Sequence, residues 1–260
     1  MMAAESKQMY DDVAGDYDII WNTPAVKILW RLLDQNLQDL GGWKDASVLD
    51  LACGTGIGLR EARKLGASHL VGVDISKDMI EVCKSHPTSS AFELHVADCS
   101  QPLDHLGLQP ASFDLVIGMW LLNYAESASQ MQSFWSNIAK YLKPGAKFVG
   151  IIQNQEEYPF QPSSMKTLKY GAKESNLTPL PSGDGVRMHL EFDTTPKVEF
   201  DTYVLKQEIF EDAAAKAGMV GLQYVKPGPE TLTEEERKDL EWWKELLDEY
   251  PNQLVVATKQ

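Results

Sequence analysis

The sequence predicts an open α/β fold: a mostly parallel sheet wound with helices on both faces. Three observations predict it. At Val48 to Gly58 the apolar positions Val48, Leu49, Leu51 and Ala52 break into Gly54-Thr55-Gly56-Ile57-Gly58, and a helix-like GLREARKLG begins at once. That order is strand, tight glycine turn, helix. The alternation then repeats until a fifth strand at Ala146 to Ile152, and such βαβ repetition implies parallel strands joined by right-handed crossovers. Finally, Phe113 to Met119 is an almost unbroken apolar run, as in a strand covered on both faces.

Composition narrows the function classes. With 260 residues and 43% hydrophobic content, the chain suits one α/β domain with decorations. The net charge of −14 leaves few basic patches for phosphate contacts, so nucleic acid is not an expected partner. The acidity suits a neutral or cationic small molecule, and it also serves solubility alone. No apolar run approaches the roughly 18 residues of a membrane span, and MMAAESKQMYDD does not read as a signal peptide. The expectation is a cytoplasmic protein with no membrane partner, monomeric or homodimeric. Cys53, Cys83 and Cys99 lack C-x-x-C spacing and the five histidines form no H-E-x-x-H pair, so no metal is expected.

The glycine turn is the most informative stretch. Glycines let a backbone approach a ligand closely, and the helix start offers unpaired N–H groups. A dinucleotide fingerprint wants G-x-G-x-x-G; here the glycines run G-x-G-x-G, and Asp50 precedes them where a pyrophosphate would be repelled. The string D-x-x-C-G-T-G-x-G, from Asp50 to Gly58, closely resembles the cofactor loop of class I S-adenosylmethionine-dependent methyltransferases of the small-molecule type. That resemblance implies a seven-stranded Rossmann-like sheet and S-adenosylmethionine as cofactor, with S-adenosylhomocysteine as product. It makes Asp50, Ala52, Gly54 and Gly56 cofactor-binding candidates.

The other elements follow in order. In MYDDVAGDYDIIW the pattern Y-D-x-x-A-x-x-Y-D resembles the N-terminal segment that folds over the cofactor in many of these enzymes. Tyr10 and Tyr17 are then cofactor-covering candidates, or rings that only pin the segment to the body. Residues 25 to 40 place Ile28, Leu29, Leu32, Leu33, Leu37 and Leu40 at helical spacing, ended by Gly41-Gly42. The second strand, His69 to Ile75, carries Asp74, 20 residues past Gly54 at the ligand-binding end of an open sheet. A carboxylate there suits a ribose diol, unless it serves as the acid of the next helix start. Ile75 and Met79 are placed beside adenine, with a core role equally open to Met79. After the third strand, Ala91 to Ala97, the resemblance gives Asp98 and the Cys99 backbone to adenine, with capping as the other role open to Asp98. Met119 ends the fourth strand, and Trp120 to Tyr124 occupies the loop that in the family faces cofactor and acceptor. No N-P-P-Y or D-P-P-Y string appears. Ser127 with Gln130 reads as a capping box, and Lys143-Pro144-Gly145 as the turn into the fifth strand.

From Gln153 the sequence turns polar and proline-rich, an insertion placed to cover the acceptor. Within it MKTLKYGAKES reads as a short helix, and Val186 to Phe192 with Val198 to Leu205 as a hairpin. An amphipathic helix at Gln207 to Lys216, a strand at Gly221 to Val225, a capped helix carrying Trp242 and Trp243, and a last strand LVVATK complete the chain. In the family that last strand inserts antiparallel beside the fifth. The expected division is a helical cover over 1–45, a cofactor core over 46–153, an acceptor lid over 154–205 and the rest of the core over 206–260.

The expected reaction is methyl transfer to nitrogen, oxygen or carbon of a small, secondary-metabolite-type acceptor, mainly by proximity and orientation. Candidates near the acceptor are Tyr124, Gln153, Asn154 and His189, with Glu156 and Tyr158 beside them, and none lies in a motif that fixes its role. The rival readings are a cofactor-binding protein without transfer and a nicotinamide-dependent dehydrogenase.

Overall fold

The computed structural model describes residues 10–155 and 163–260. Its frame is a seven-stranded sheet in the order β3-β2-β1-β4-β5-β10-β9. Strands β1 (Ser47–Leu51), β2 (His69–Asp74), β3 (Phe92–Val96), β4 (Phe113–Met119) and β5 (Leu142–Gln153) run parallel. The order reverses at β1, so the crevice at the carboxyl ends of β1 and β4 is the switch point where such sheets bind ligands.

Helices α1 (Pro24–Leu40), α2 (Ile57–Leu65) and α3 (Lys77–Ser85) cover one face. The apolar stripe expected on α1 is buried at Ile28, Leu29, Leu32, Leu33 and Leu37. The other face is covered by α4 (Ala128–Tyr141), capped by Ser127 accepting from the Gln130 N–H, and by α5 (Gln207–Lys216). Trp135 and Phe210 meet edge to face there at 5.3 Å, which closes the layer over Phe148. The fifth strand starts four residues earlier than expected: residues 143–146 bulge out of register between Phe113↔Leu142 and Leu115↔Lys147, with Gly145 at φ +78. The lysine-proline-glycine turn is thus a bulge inside the strand.

The insertion holds a separate antiparallel sheet, β6 (Ala172–Pro179), β7 (Gly185–Phe192) and β8 (Val198–Leu205). The hairpin is as expected, but the helix over MKTLKYGAKES is not present. Short 3₁₀ turns occupy Ser163–Met165 and Leu168–Tyr170, and Gly171 at φ +81 turns the chain into β6. Helix-favouring Lys and Glu lose to tertiary context: Tyr170 is buried with its hydroxyl donating to the Trp242 carbonyl, and β7 pairs with β6.

Strands β9 (Met219–Val225) and β10 (Asn252–Lys259) flank α6 (Leu240–Glu249) in sequence, and β10 lies antiparallel between β5 and β9. The Thr233–Glu236 capping box forms, at 2.8 and 3.3 Å, yet it caps only a 3₁₀ turn. Helix α6 starts afresh at Asp239, and Trp243 and Trp242 pack on Tyr170. Among the described residues no helix is long and apolar enough to cross a membrane, and no cluster of three or more His, Cys, Asp or Glu converges as a metal site.

Candidate functional site

At the switch point the ends of β1 to β4 wall a cavity of about 1050 Å³, mouth included. The β1 turn shapes its floor. Ala52 at φ +61 and Gly54 at φ +52 both stand in the left-handed region, and a Cβ on Gly54 would point into open space. Gly56 does not reach the cavity wall; a Cβ there would sit 2.3 Å from the Cys83 sulfur, so it holds the turn against α3. Asp50 is also off the wall. It is fully buried, a Cβ on Gly58 would lie 2.6 Å from its Oδ2, and neither carboxyl oxygen has a partner among the described residues. Burial first, then the charge of Asp74, pushes the Asp50 carboxyl well above the carboxylate range. The structure thus places Gly56 and Asp50 beneath the turn, where they shape it without lining the ligand space.

Asp74 lies at the centre of the wall. Its Oδ2 accepts from Gly54 N–H at 2.7 Å and its Oδ1 from Ser76 N–H at 2.9 Å. Each oxygen keeps a lone pair for a ligand hydroxyl. Burial raises this carboxyl to about 6, against the backbone donors of Ser76, Gly54 and Ile75 that hold it down. Ser76 caps α3 by accepting from Met79 N–H, and Asp78 is the acid in the first turn of that helix. Asp98 combines its two expected positions: it lines the cavity while accepting from Ser100 N–H at 2.8 Å. Ile75, Met79, Cys99 and Met119 complete this end of the wall.

The N-terminal segment closes the cavity by a division of labour inside its repeated Tyr-Asp pairs. The aspartates anchor: Asp11 accepts from Ser76 Oγ and Asp18 from Thr55 Oγ1, each at 2.6 Å, with Arg60 3.8 Å from Asp18. The tyrosines line: Tyr10 and Tyr17 face the cavity and pack edge to face at 5.9 Å. Phe200 of β8 backs both rings at 5.7 and 6.3 Å. Trp120 stands in the left-handed region at φ +56, its Nε1 donates to Asn252 Oδ1 at 3.2 Å, and it meets Trp21 at 5.6 Å. Strained backbone at Ala52 and Trp120, the residues following β1 and β4, lies where ligand-binding sites store it.

The acceptor candidates separate. Tyr124 lines the cavity, but burial pushes its phenol far above the ordinary range, so it is a donor and not a base. Gln153 and Asn154 do not line it. Gln153 is buried under the insertion, with Nε2 3.2 Å from Thr202 Oγ1, and both residues border a smaller pocket with Glu174 and Met188. His189 sits on the outer face of the small sheet, 2.9 Å from Asp201 and 3.4 Å from Glu199. Neither the amides nor the histidine reach the cavity, because β7 and β8 fold over the end of β5. Glu156 and Tyr158 lie outside the described residues. Trp21, Thr55, Glu126, Gln130, Phe134 and Tyr203 also line the cavity and were not singled out in the sequence. Glu126 and Gln130 sit around a helix cap visible in the sequence; Tyr203 carries no local signal. Among the described residues, Tyr203 is the only part of 154–205 on this wall.

The residues present fit S-adenosylmethionine. The charged residues on the described wall are Asp74, Asp98 and Glu126, with no lysine, arginine or histidine. A phosphate-bearing dinucleotide would find no cationic partner there, whereas a diol, an adenine and a sulfonium find carboxylates and aromatic faces.

Comparison with known proteins agrees. Residues 48–145 match the family model described as "Methyltransferase domain". Demethylmenaquinone methyltransferase of Lactiplantibacillus plantarum is 30% identical over 156 residues, covering 58% of this chain and 63% of that protein. Ubiquinone biosynthesis O-methyltransferase of Coxiella burnetii is 32% identical over 165 residues, covering 59% and 64%. The chain thus spans about six tenths of the length of these curated relatives. Among solved structures, the CcbJ methyltransferase of Streptomyces caelestis superposes with a TM-score of 0.63 at 15% identity over 98% of each chain. An S-adenosylmethionine-dependent methyltransferase of Clostridium acetobutylicum gives 0.60 at 17% identity over 96% and 98%. Residues 48–145 thus match a methyltransferase domain, and the described chain shares its fold with these methyltransferase structures.

Proposed function

We propose that the protein transfers a methyl group from S-adenosylmethionine to a small-molecule acceptor. The observation that carries this is Asp74, fixed by two backbone donors at the switch point with its remaining lone pairs in a cavity that has no cationic side chain on its described wall. Asp74 would hold the ribose hydroxyls, Asp98 and Cys99 the adenine edge, and Ala52 and Gly54 the amino-acid end along the turn. When bound, the cofactor supplies an electrophilic methyl group on a positively charged sulfur. The chain's part is to orient the acceptor in line with that methyl group and to exclude water. Holding two reactants in a near-attack geometry lowers a barrier by about 7 to 11 kcal/mol. Tyr10 and Tyr17, locked by Asp11 and Asp18, supply the cover.

Calorimetry of S-adenosylmethionine and S-adenosylhomocysteine tests the reading. Micromolar binding that weakens tenfold or more in Asp74→Ala, about 1.4 kcal/mol, is expected. No binding by folded protein would sink it. A mass gain of one methyl group on an acceptor then separates transfer from cofactor binding alone.

A further inference from the structure

The cavity is larger in its demands than the cofactor residues explain. Beyond Asp74, Asp98 and the turn, its wall continues as Trp21, Trp120, Tyr124 and Tyr203, closed by Glu126 and Gln130. The Glu126 carboxylate makes no side-chain hydrogen bond or ion pair among the described residues. Gln130 reaches it only through the backbone, its Oε1 accepting from Glu126 N–H at 3.0 Å. A half-buried carboxylate that shares its cavity wall with aromatic rings and with no cationic side chain is a site that lacks its counter-charge.

Resting on the methyl-transfer reading, we propose that the acceptor is an amine, recognised by the aromatic faces of Trp21, Trp120 and Tyr124 together with the Glu126 carboxylate. Charge flow supports the assignment. The ammonium held beside Glu126 first passes a proton to water; the neutral amine then attacks, the N–C bond forms, the C–S bond breaks with its electron pair left on sulfur, and the positive charge moves to nitrogen. The product's proton then leaves to water on release. Charge is moved and not created, and rings that stabilise a cation serve both ends of the transfer. An anionic acceptor would face three carboxylates.

Choline and its neutral carbon isostere 3,3-dimethylbutan-1-ol, titrated into protein saturated with S-adenosylhomocysteine, test this without turnover. Choline is expected to bind at least tenfold more tightly than the isostere, and Glu126→Gln to shrink that preference at least threefold while S-adenosylhomocysteine affinity is unchanged. Equal affinities, tighter binding of the isostere, no binding of either, or a preference untouched by Glu126→Gln would overturn the proposal. If S-adenosylhomocysteine itself fails to bind the same folded sample, the methyl-transfer reading falls first. If it binds and no ammonium preference appears, only the amine assignment falls.

Discussion

Asp74 carries a pH dependence whose sign follows from its surroundings. Its carboxyl titrates at about 6 in the free protein, because burial outweighs three backbone donors. On the proposed reading, ligand hydroxyls would donate to the ionised form, so binding would lower that value. Cofactor affinity should therefore be flat above pH 6 and fall as pH drops through about 6, and calorimetry from pH 5 to 8 would read it. An affinity that does not change across this range would separate Asp74 from the ligand. Gly58 carries a second consequence. A methyl group there would meet Asp50 Oδ2 at 2.6 Å beneath the buried first turn of α2, so Gly58→Ala should lower stability by about 1 to 3 kcal/mol in a denaturant titration.

The N-terminal segment acts as an element through two hydrogen bonds, Asp11 to Ser76 and Asp18 to Thr55. Replacing both aspartates with alanine should speed S-adenosylhomocysteine dissociation roughly tenfold, since a charged hydrogen bond contributes about 1.5 to 3 kcal/mol and exposure of Asp18 reduces that. Stopped-flow release checks it. The Tyr-Asp repeat is legible in the sequence, whereas the anchoring role of its aspartates is not, because their partners Ser76 and Thr55 lie 65 and 37 residues away. Asp74 was legible because a fixed spacing maps onto the neighbouring strand end, and the core strands because period and glycine turns are local. Gln153 was misplaced because its cover comes from β7 and β8, some 35 to 49 residues away. His189 could have been placed by parity: Arg187, His189 and Glu191 share the polar face of β7, while Val186, Met188 and Phe192 share the buried one. Strand β6 was hidden by helix-favouring residues that only pairing overrides.

Over the whole molecule, the small sheet and the large one meet at a pocket where Glu174 is held with Gln153, Met188 and Pro251. Desolvation of the carboxyl end of this half-buried side chain raises Glu174 from 4.5 to about 8. Between those values the folded protein keeps a proton that the unfolded chain has lost, so this group's contribution falls as pH rises from 4.5 to 8 and is flat above. Glu174→Gln should raise the melting temperature at pH 8 relative to the unaltered protein and leave the difference near zero at pH 4. An equal shift at both pH values would remove the link.

The placement of β10 bears on synthesis. Emerging after every other strand of the large sheet, it must slide between β5 and β9, pairing Leu254 with Ile151 on one side and with Val225 on the other. While Asn252 to Lys259 are still within the ribosome, β5 offers an open apolar edge and β9 has no neighbour to join. The carboxyl ends of β1 to β4 are by then complete. A nascent chain could therefore acquire most of its cofactor wall while the sheet remains exposed to intruding strands, the moment at which chaperone protection of that edge matters most.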